Sequence, residues 1–229
     1  MPRKYTKEQI DEMLEASKGK MERVYQKGFV NFTGTTLHKK ELYTEVVAEW
    51  LMRRTERLYQ IPKITREASY RTKSHKAPVD IAKAQRGEDR IAKQMFNQKG
   101  LPLLGVVLDY QTPLKNKRSD PAGKIDLLAY DGFFLRILEL KEPESPETML
   151  RCVLEGYTYY RRVDVEKLLR DFGLPPDTKV RVSPLVFHNK IQHREMMQDR
   201  PHLKALMRKL DIEPFYVHKV RDAYLVTKE

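Results

Sequence analysis

The sequence predicts an α/β fold in which a mixed β-sheet is flanked by helices and preceded by an N-terminal helical appendage. Three observations carry that prediction. Residues 124–141, KIDLLAYDGFFLRILELK, read as two short apolar strands joined at Asp131-Gly132, a strong local hairpin signal. Helix-patterned segments lie on both sides of this hairpin, over 80–100 and 142–173. Strand-like runs over 101–114, 178–189 and 213–228 complete the order helix, strand, hairpin, helix, strand, helix, strands.

Composition narrows the class. With 229 residues the chain is long enough for one domain with a smaller appendage, and the boundary falls between an N-terminal helical region with a basic linker, 1–77, and a main domain, 78–229. Hydrophobic residues make up 40% and charged residues 33%, which is polar yet sufficient for a folded core. The formal net charge of +12 implies attraction to polyanions, most simply nucleic acid. No apolar run is long enough to span a bilayer, and the basic MPRKYTKEQ is not followed by the apolar stretch of a signal peptide. The expected setting is therefore the cytoplasm, including association with the nucleoid, with no membrane partner. The single cysteine, Cys152, excludes an intrachain disulfide and a cysteine-rich zinc or iron-sulfur site built by this chain.

Taken in order, residues 7–26 are helix-compatible through Ile10, Met13, Leu14, Met21 and Val24, weakened at Gly19. A break at GFVNFTGTT precedes a second helix from His38 to Tyr59, whose Tyr43, Val46, Val47, Trp50 and Leu51 share one face. That face packs on the main domain, on a second copy of the chain in a homodimer, or towards DNA. Residues 60–78, bounded by prolines and carrying Lys63, Arg66, Tyr70, Arg71, Lys73 and Lys76, read as a basic linker or extended arm suited to phosphate contact. The helix over 80–100 is closed by Gly100 and places Glu88 on its buried side, with surface pairing to Lys93 as the other reading. After the strand run centred on Val106, Val107 and Leu108, a turn-rich loop brings Lys115, Lys117 and Arg118 near the hairpin, as phosphate contacts or as solvated surface.

The hairpin carries the chemistry. With Asp131 and Gly132 as the two loop residues, Tyr130 faces Phe133 and Asp126 faces Ile137; Ile137, Glu139 and Lys141 then share one strand face with Asp126. Two acids and a lysine amid Ile, Leu and Phe are costly to desolvate unless paired or bound to a cation. Carboxylate oxygens at a hairpin end suit a hard divalent cation such as Mg2+. An Asp, a gap of twelve residues and then Glu-Leu-Lys resembles the signature of the PD-(D/E)XK nuclease superfamily, whose fold is the restriction-endonuclease-like fold. The resemblance covers 79–189. It implies that Asp126 and Glu139, with the Leu140 carbonyl and Glu88, bind Mg2+, for which Mn2+ can substitute, and that Lys141 assists the attacking water.

Beyond the hairpin, Ser145 reads as an N-cap and Pro146 as the first helical residue, with Met149, Leu150, Val153, Leu154 and Tyr157 as the apolar stripe. Glu155 and Tyr159 lie one turn apart and resemble the Gln-x-x-x-Tyr motif of RecB-like members, with Glu155 standing in place of the usual Gln. Tyr157, Tyr159, Tyr160, Arg161 and Arg162 are candidates for stacking on bases and holding phosphates, or are half core and half surface. Pro201 interrupts or restarts the helical stretch 191–210, and a final hairpin turns near Arg221-Asp222. His188, His193 and His202 lack helical zinc-site spacing and read as surface or capping residues. The expected activity is Mg2+-dependent hydrolysis of DNA phosphodiesters, in repair, restriction or defence against mobile elements; the alternative is a catalytically inactive nucleic-acid-binding protein on the same fold.

Overall fold

The computed structural model describes residues 4–82, 84, 87–116 and 123–228. Helix α1, Lys7–Ser17, starts at a reciprocal cap in which Thr6 and Gln9 each bond the other's backbone N–H. It does not run to Gln26: the chain breaks near Gly19 and continues as two short 3-10 turns, Met21–Gln26 and Gly28–Asn31. The second helix is also shorter than its pattern. It divides into α2, Tyr43–Arg53, and α3, Thr55–Tyr59, because Arg54 adopts a non-helical φ of −132°. Residues ahead of α2 are held in a loop in which Thr36 N–H donates to the Glu41 carbonyl and Thr35 bridges Leu42, so their backbone groups are committed elsewhere.

The basic arm over 60–78 is anchored rather than free. Tyr70 is fully buried, its N–H donates to Asp171 Oδ2, and its hydroxyl accepts from Asp164 N–H. Helix α4, Gly87–Gln98, starts later than its pattern and is ended by Lys99 at φ 68°, not by Gly100, which already belongs to the next strand.

Seven strands form one sheet in which chain order is spatial order: β1 Gly100–Leu101, β2 Gly105–Pro113, β3 Lys124–Tyr130, β4 Phe134–Leu140, β5 Lys179–Phe187, β6 Phe215–Val220 and β7 Ala223–Thr227. The pairs β1 to β4 and β6 with β7 are antiparallel, whereas β4–β5 and β5–β6 are parallel. The parallel steps are crossed by helices: α5 Met149–Arg162 and α6 Val165–Phe172 join β4 to β5, and α7 Ile191–Met197 and α8 Pro201–Lys209 join β5 to β6. This is the α/β architecture with a mixed sheet, flanking helices and an N-terminal helical region that the sequence predicts. The final hairpin turns at Arg221-Asp222 as expected, with Arg221 at φ 54°. Pro201 restarts a helix as its first residue.

Two expectations about the hairpin and its helix change in detail. The β3–β4 loop holds two residues more on its β4 side, so that Tyr130 faces Leu135 instead of Phe133, and Asp131 Oδ1 accepts from the N–H groups of both Phe133 and Phe134. Leu128 therefore faces Ile137 and Leu127 faces Leu138, which carries Asp126 opposite Glu139 instead of Ile137. The slip is by two, so each side chain keeps its sheet face. The N-cap of α5 is Thr148, not Ser145: Thr148 Oγ1 accepts from Arg151 N–H and donates to the Val30 carbonyl, whereas Ser145 Oγ accepts from Glu147 N–H in the turn ahead of the helix.

Helices pack on both sheet faces. One apolar core joins Ile137 and Val182 to α5 and the N-terminal helices, including Trp50 and Leu51 of α2. The other joins Leu127, Leu138 and Leu140 to Ile91, Met95 and Phe96 of α4. The apolar face of α2 is thus covered within the chain, by α8 among others. Among the described residues no helix is long and apolar enough to cross a membrane.

Candidate active site

A cleft of about 880 Å³ opens at the C-terminal end of β4, lined by α4, β2, β3, α5 and the arm. On its floor stand Asp126, Glu139 and Lys141, each at least nine-tenths buried. Asp126 Oδ2 accepts from the Leu140 N–H at 3.0 Å and Oδ1 from Gln111 Nε2 at 2.9 Å. Burial nonetheless pushes the Asp126 carboxyl up to about 7, with Lys141 opposing that rise. Burial likewise raises the Glu139 carboxyl well above the usual range, Lys141 again opposing it.

Lys141 is the hub of the cleft. Its Nζ lies 2.8 Å from Glu139 Oε1, 2.9 Å from Glu147 Oε2, 3.2 Å from Glu155 Oε2 and 3.9 Å from Glu88 Oε1. Burial alone would favour the neutral amine, but Glu139 and Glu155 outweigh it and hold the ammonium form firmly. Lys141 is therefore a fixed positive charge and not a ready base.

Local sequence explains this convergence. Gly156 lets α5 come down on the sheet beside Glu139: a Cβ there would stand 3.2 Å from Glu139 Cβ and 2.9 Å from Val182 Cγ1. Along α5 and the turn before it, Glu147, Arg151, Glu155 and Tyr159 recur every four residues, so they line one helix face directed at the cleft. Arg151 Nε pairs with Glu147 Oε1 at 2.7 Å, and the Tyr159 hydroxyl donates to Glu155 Oε1 at 2.9 Å. Glu88, in the first turn of α4, faces Lys141 rather than Lys93, which pairs with Asp89 instead. Its carboxyl is raised by burial.

The residues expected here thus meet: Asp126, Glu139, Lys141, Glu88, Glu155 and Tyr159 all line the cleft, with the Leu140 backbone bonded to Asp126. Lys115 lines it as well, whereas Lys117 and Arg118 lie outside the described residues. Arg161 and Arg162 do not line it. They close the far end of α5, where Arg161 bonds the Tyr59 carbonyl and the Arg162 carbonyl accepts from Ile64 N–H. Tyr157 and Tyr159 are buried core residues, Tyr159 meeting the cleft beside Glu155, to which its hydroxyl donates.

Sequence reasoning missed Glu147, Arg151, Gln111, Asp109 and His75. The four-residue recurrence would have found the first two; the others meet the site only through tertiary structure. His193 is also buried rather than superficial. Parallel pairing of Phe187 with Val217 sets His188 beside His218, with ring centroids 4.5 Å apart, and His193 folds onto His188 at 4.3 Å.

Among the described residues no three His, Cys, Asp or Glu side chains form a ready metal-ligand set, because the Lys141 ammonium stands between the carboxylates. One observation does fit a cation. Glu139 Oε2 is buried without a hydrogen-bond partner, and a carboxylate oxygen is the kind of donor a hard divalent ion prefers. Comparison with protein-family models, curated proteins and solved structures gave no match.

Proposed function

We propose that the chain is a metal-dependent nuclease of the PD-(D/E)XK type that hydrolyses DNA phosphodiester bonds. The observation that carries this reading is the convergence of Asp126, Glu139 and Lys141 on the floor of one cleft, with an unpartnered Glu139 oxygen. Helix α4, antiparallel β2–β3–β4, helix α5 and parallel β5 follow one another in the order that the resemblance implies.

Asp126 and Glu139 would hold the ion, with Glu88 at the rim and the Leu140 carbonyl adjoining. When bound, Mg2+ or Mn2+ supplies charge for the phosphoryl oxygens and a more acidic water. The chain's own groups do the remaining work. The Lys141 ammonium donates hydrogen bonds towards the attacking water or a phosphoryl oxygen, since its neighbours keep it protonated. Glu155, braced by Tyr159, and Glu147 hold that ammonium in place. Lys93, Lys115, Lys124 and Arg151 line the same cleft as counter-charges to the phosphate backbone, an attraction that weakens as salt rises.

Nicking of supercoiled plasmid and degradation of labelled single strands, with Mg2+, Mn2+ or chelator, test this reading. Cleavage that requires the ion and is lost in Asp126→Ala and Lys141→Ala, each shown to be folded, supports it. No cleavage of any substrate, with salt-sensitive DNA binding retained in chelator, supports the non-catalytic binding protein instead.

A further inference from the structure

A second dyad reaches the same cleft through its histidine. His75, carried by the anchored arm, places Nδ1 2.6 Å from Asp109 Oδ1 on β2. Asp109 is 2% exposed; its Oδ1 also accepts from Tyr110 N–H at 2.9 Å and its Oδ2 from the Thr112 hydroxyl at 3.2 Å. With these donors already around it, Asp109 is an acceptor, so His75 Nδ1 carries the proton between them. The imidazole is further fixed by stacking on Tyr110, at 4.0 Å between centroids and 21° between planes. Nε2 is left as the nitrogen that Asp109 does not engage, on a ring that lines the cleft with Asp126, Glu139 and Lys141. A register shift in β2 between Val107 and Asp109 aims this segment, and two residues on, Gln111 at φ 47° bonds Asp126.

Phosphodiester hydrolysis needs a proton on the departing oxygen, because an alkoxide leaves poorly. The Lys141 ammonium is held in its charged form by the Glu139, Glu147 and Glu155 carboxylates, so it orients groups but gives up a proton poorly. An imidazole with one N–H held by a buried carboxylate and the other nitrogen towards substrate is the arrangement that delivers protons near neutral pH.

We propose that His75 is the general acid of the reaction, oriented by Asp109; the assignment rests on the nuclease reading. Water oxygen bonds to phosphorus as the bond from phosphorus to the 3′ oxygen breaks, its electron pair remaining on that oxygen. The His75 Nε2 proton passes to the 3′ oxygen, giving a 3′ hydroxyl and a 5′ phosphate. The proton lost by the water goes to solvent, and solvent returns one to the imidazole.

The test compares two oligonucleotides of one sequence, cut at a position first mapped with the wild-type full chain. One is all oxygen; the other has sulfur as the 3′ bridging atom at the scissile linkage, a leaving group that needs no proton. His75→Ala should lose about 100-fold or more on the oxygen substrate and stay within about 3-fold of wild type on the sulfur substrate, on the same general-acid argument. Asp109→Asn should show the same pattern with a smaller loss. Preserved cutting of the sulfur substrate also shows that the variant is folded. An equal loss on both substrates, as expected if the dyad only pins the arm, overturns the proposal, as does no loss on either. Absence of any cleavage by wild type overturns the nuclease reading and this assignment with it.

Discussion

The Lys141 ammonium, just past the end of β4, lies 2.8 Å from Glu139 Oε1, two residues back along the chain, with both side chains almost wholly buried. Removing one partner of such a pair is more costly than never having had it, since the other charge stays desolvated. Lys141→Met should therefore destabilise the chain by about 3–5 kcal/mol in urea unfolding. Added Mg2+ should recover part of that loss, because an ion at Glu139 replaces the missing positive charge.

The raised Asp126 carboxyl sets a pH dependence. Between its ordinary value of 3.8 and about 7 the folded chain keeps a proton that the unfolded chain has released. Its contribution to stability is full below that window and is lost as pH rises through about 7, a change on the order of 4 kcal/mol. Thermal unfolding in chelator should thus show Tm falling from pH 5 to pH 8, and Mg2+ at pH 8 should raise it.

From the same cause, Asp126→Asn should be more stable than wild type at pH 8 in chelator while losing cleavage. The amide has no charge to desolvate, and its oxygen still accepts from the Leu140 N–H. Matched thermal melts and plasmid nicking read both effects; a variant less stable than wild type at pH 8 would count against the burial argument.

Gly156 offers a test of packing beside the acids of the cleft. A Cβ added there meets Val182 Cγ1 at 2.9 Å and Glu139 Cβ at 3.2 Å, so Gly156→Ala must push α5 off the sheet. A stability loss of about 1–3 kcal/mol is expected, together with a drop in cleavage larger than that of a surface change on the neighbouring α6 such as Glu166→Gln.

Tyr159→Phe removes the hydrogen bond to Glu155 and little else. About 1 kcal/mol of stability should go with it. Cleavage should fall by less than in Lys141→Ala, because Glu155 keeps its contact with Lys141.

How much of this the sequence carries depends on how local each relation is. The two acids, the lysine and their shared face follow from period-two alternation, and they survive because the hairpin register differs by two residues rather than one. Glu155 and Tyr159 follow from helical spacing. Arg161 and Arg162 read as phosphate ligands on charge alone, yet the arm packs against their end of α5, which composition does not encode. His75 and Asp109 are 34 residues apart and meet through an arm anchored at Tyr70 by Asp164 and Asp171 and at Glu67 by Asn116, relations with no local pattern.

Glu45 of α2 accepts from the N–H groups of His202 and Leu203 at the start of α8, and Thr44 accepts from Arg200. During synthesis α2 therefore cannot complete its packing until residues 200–203 have emerged, 156 or more residues later. The sheet, by contrast, grows strand by strand in the order of translation. Nascent chains stalled before residue 200 should hold the cleft's strands while leaving the N-terminal helices open to proteases and chaperones.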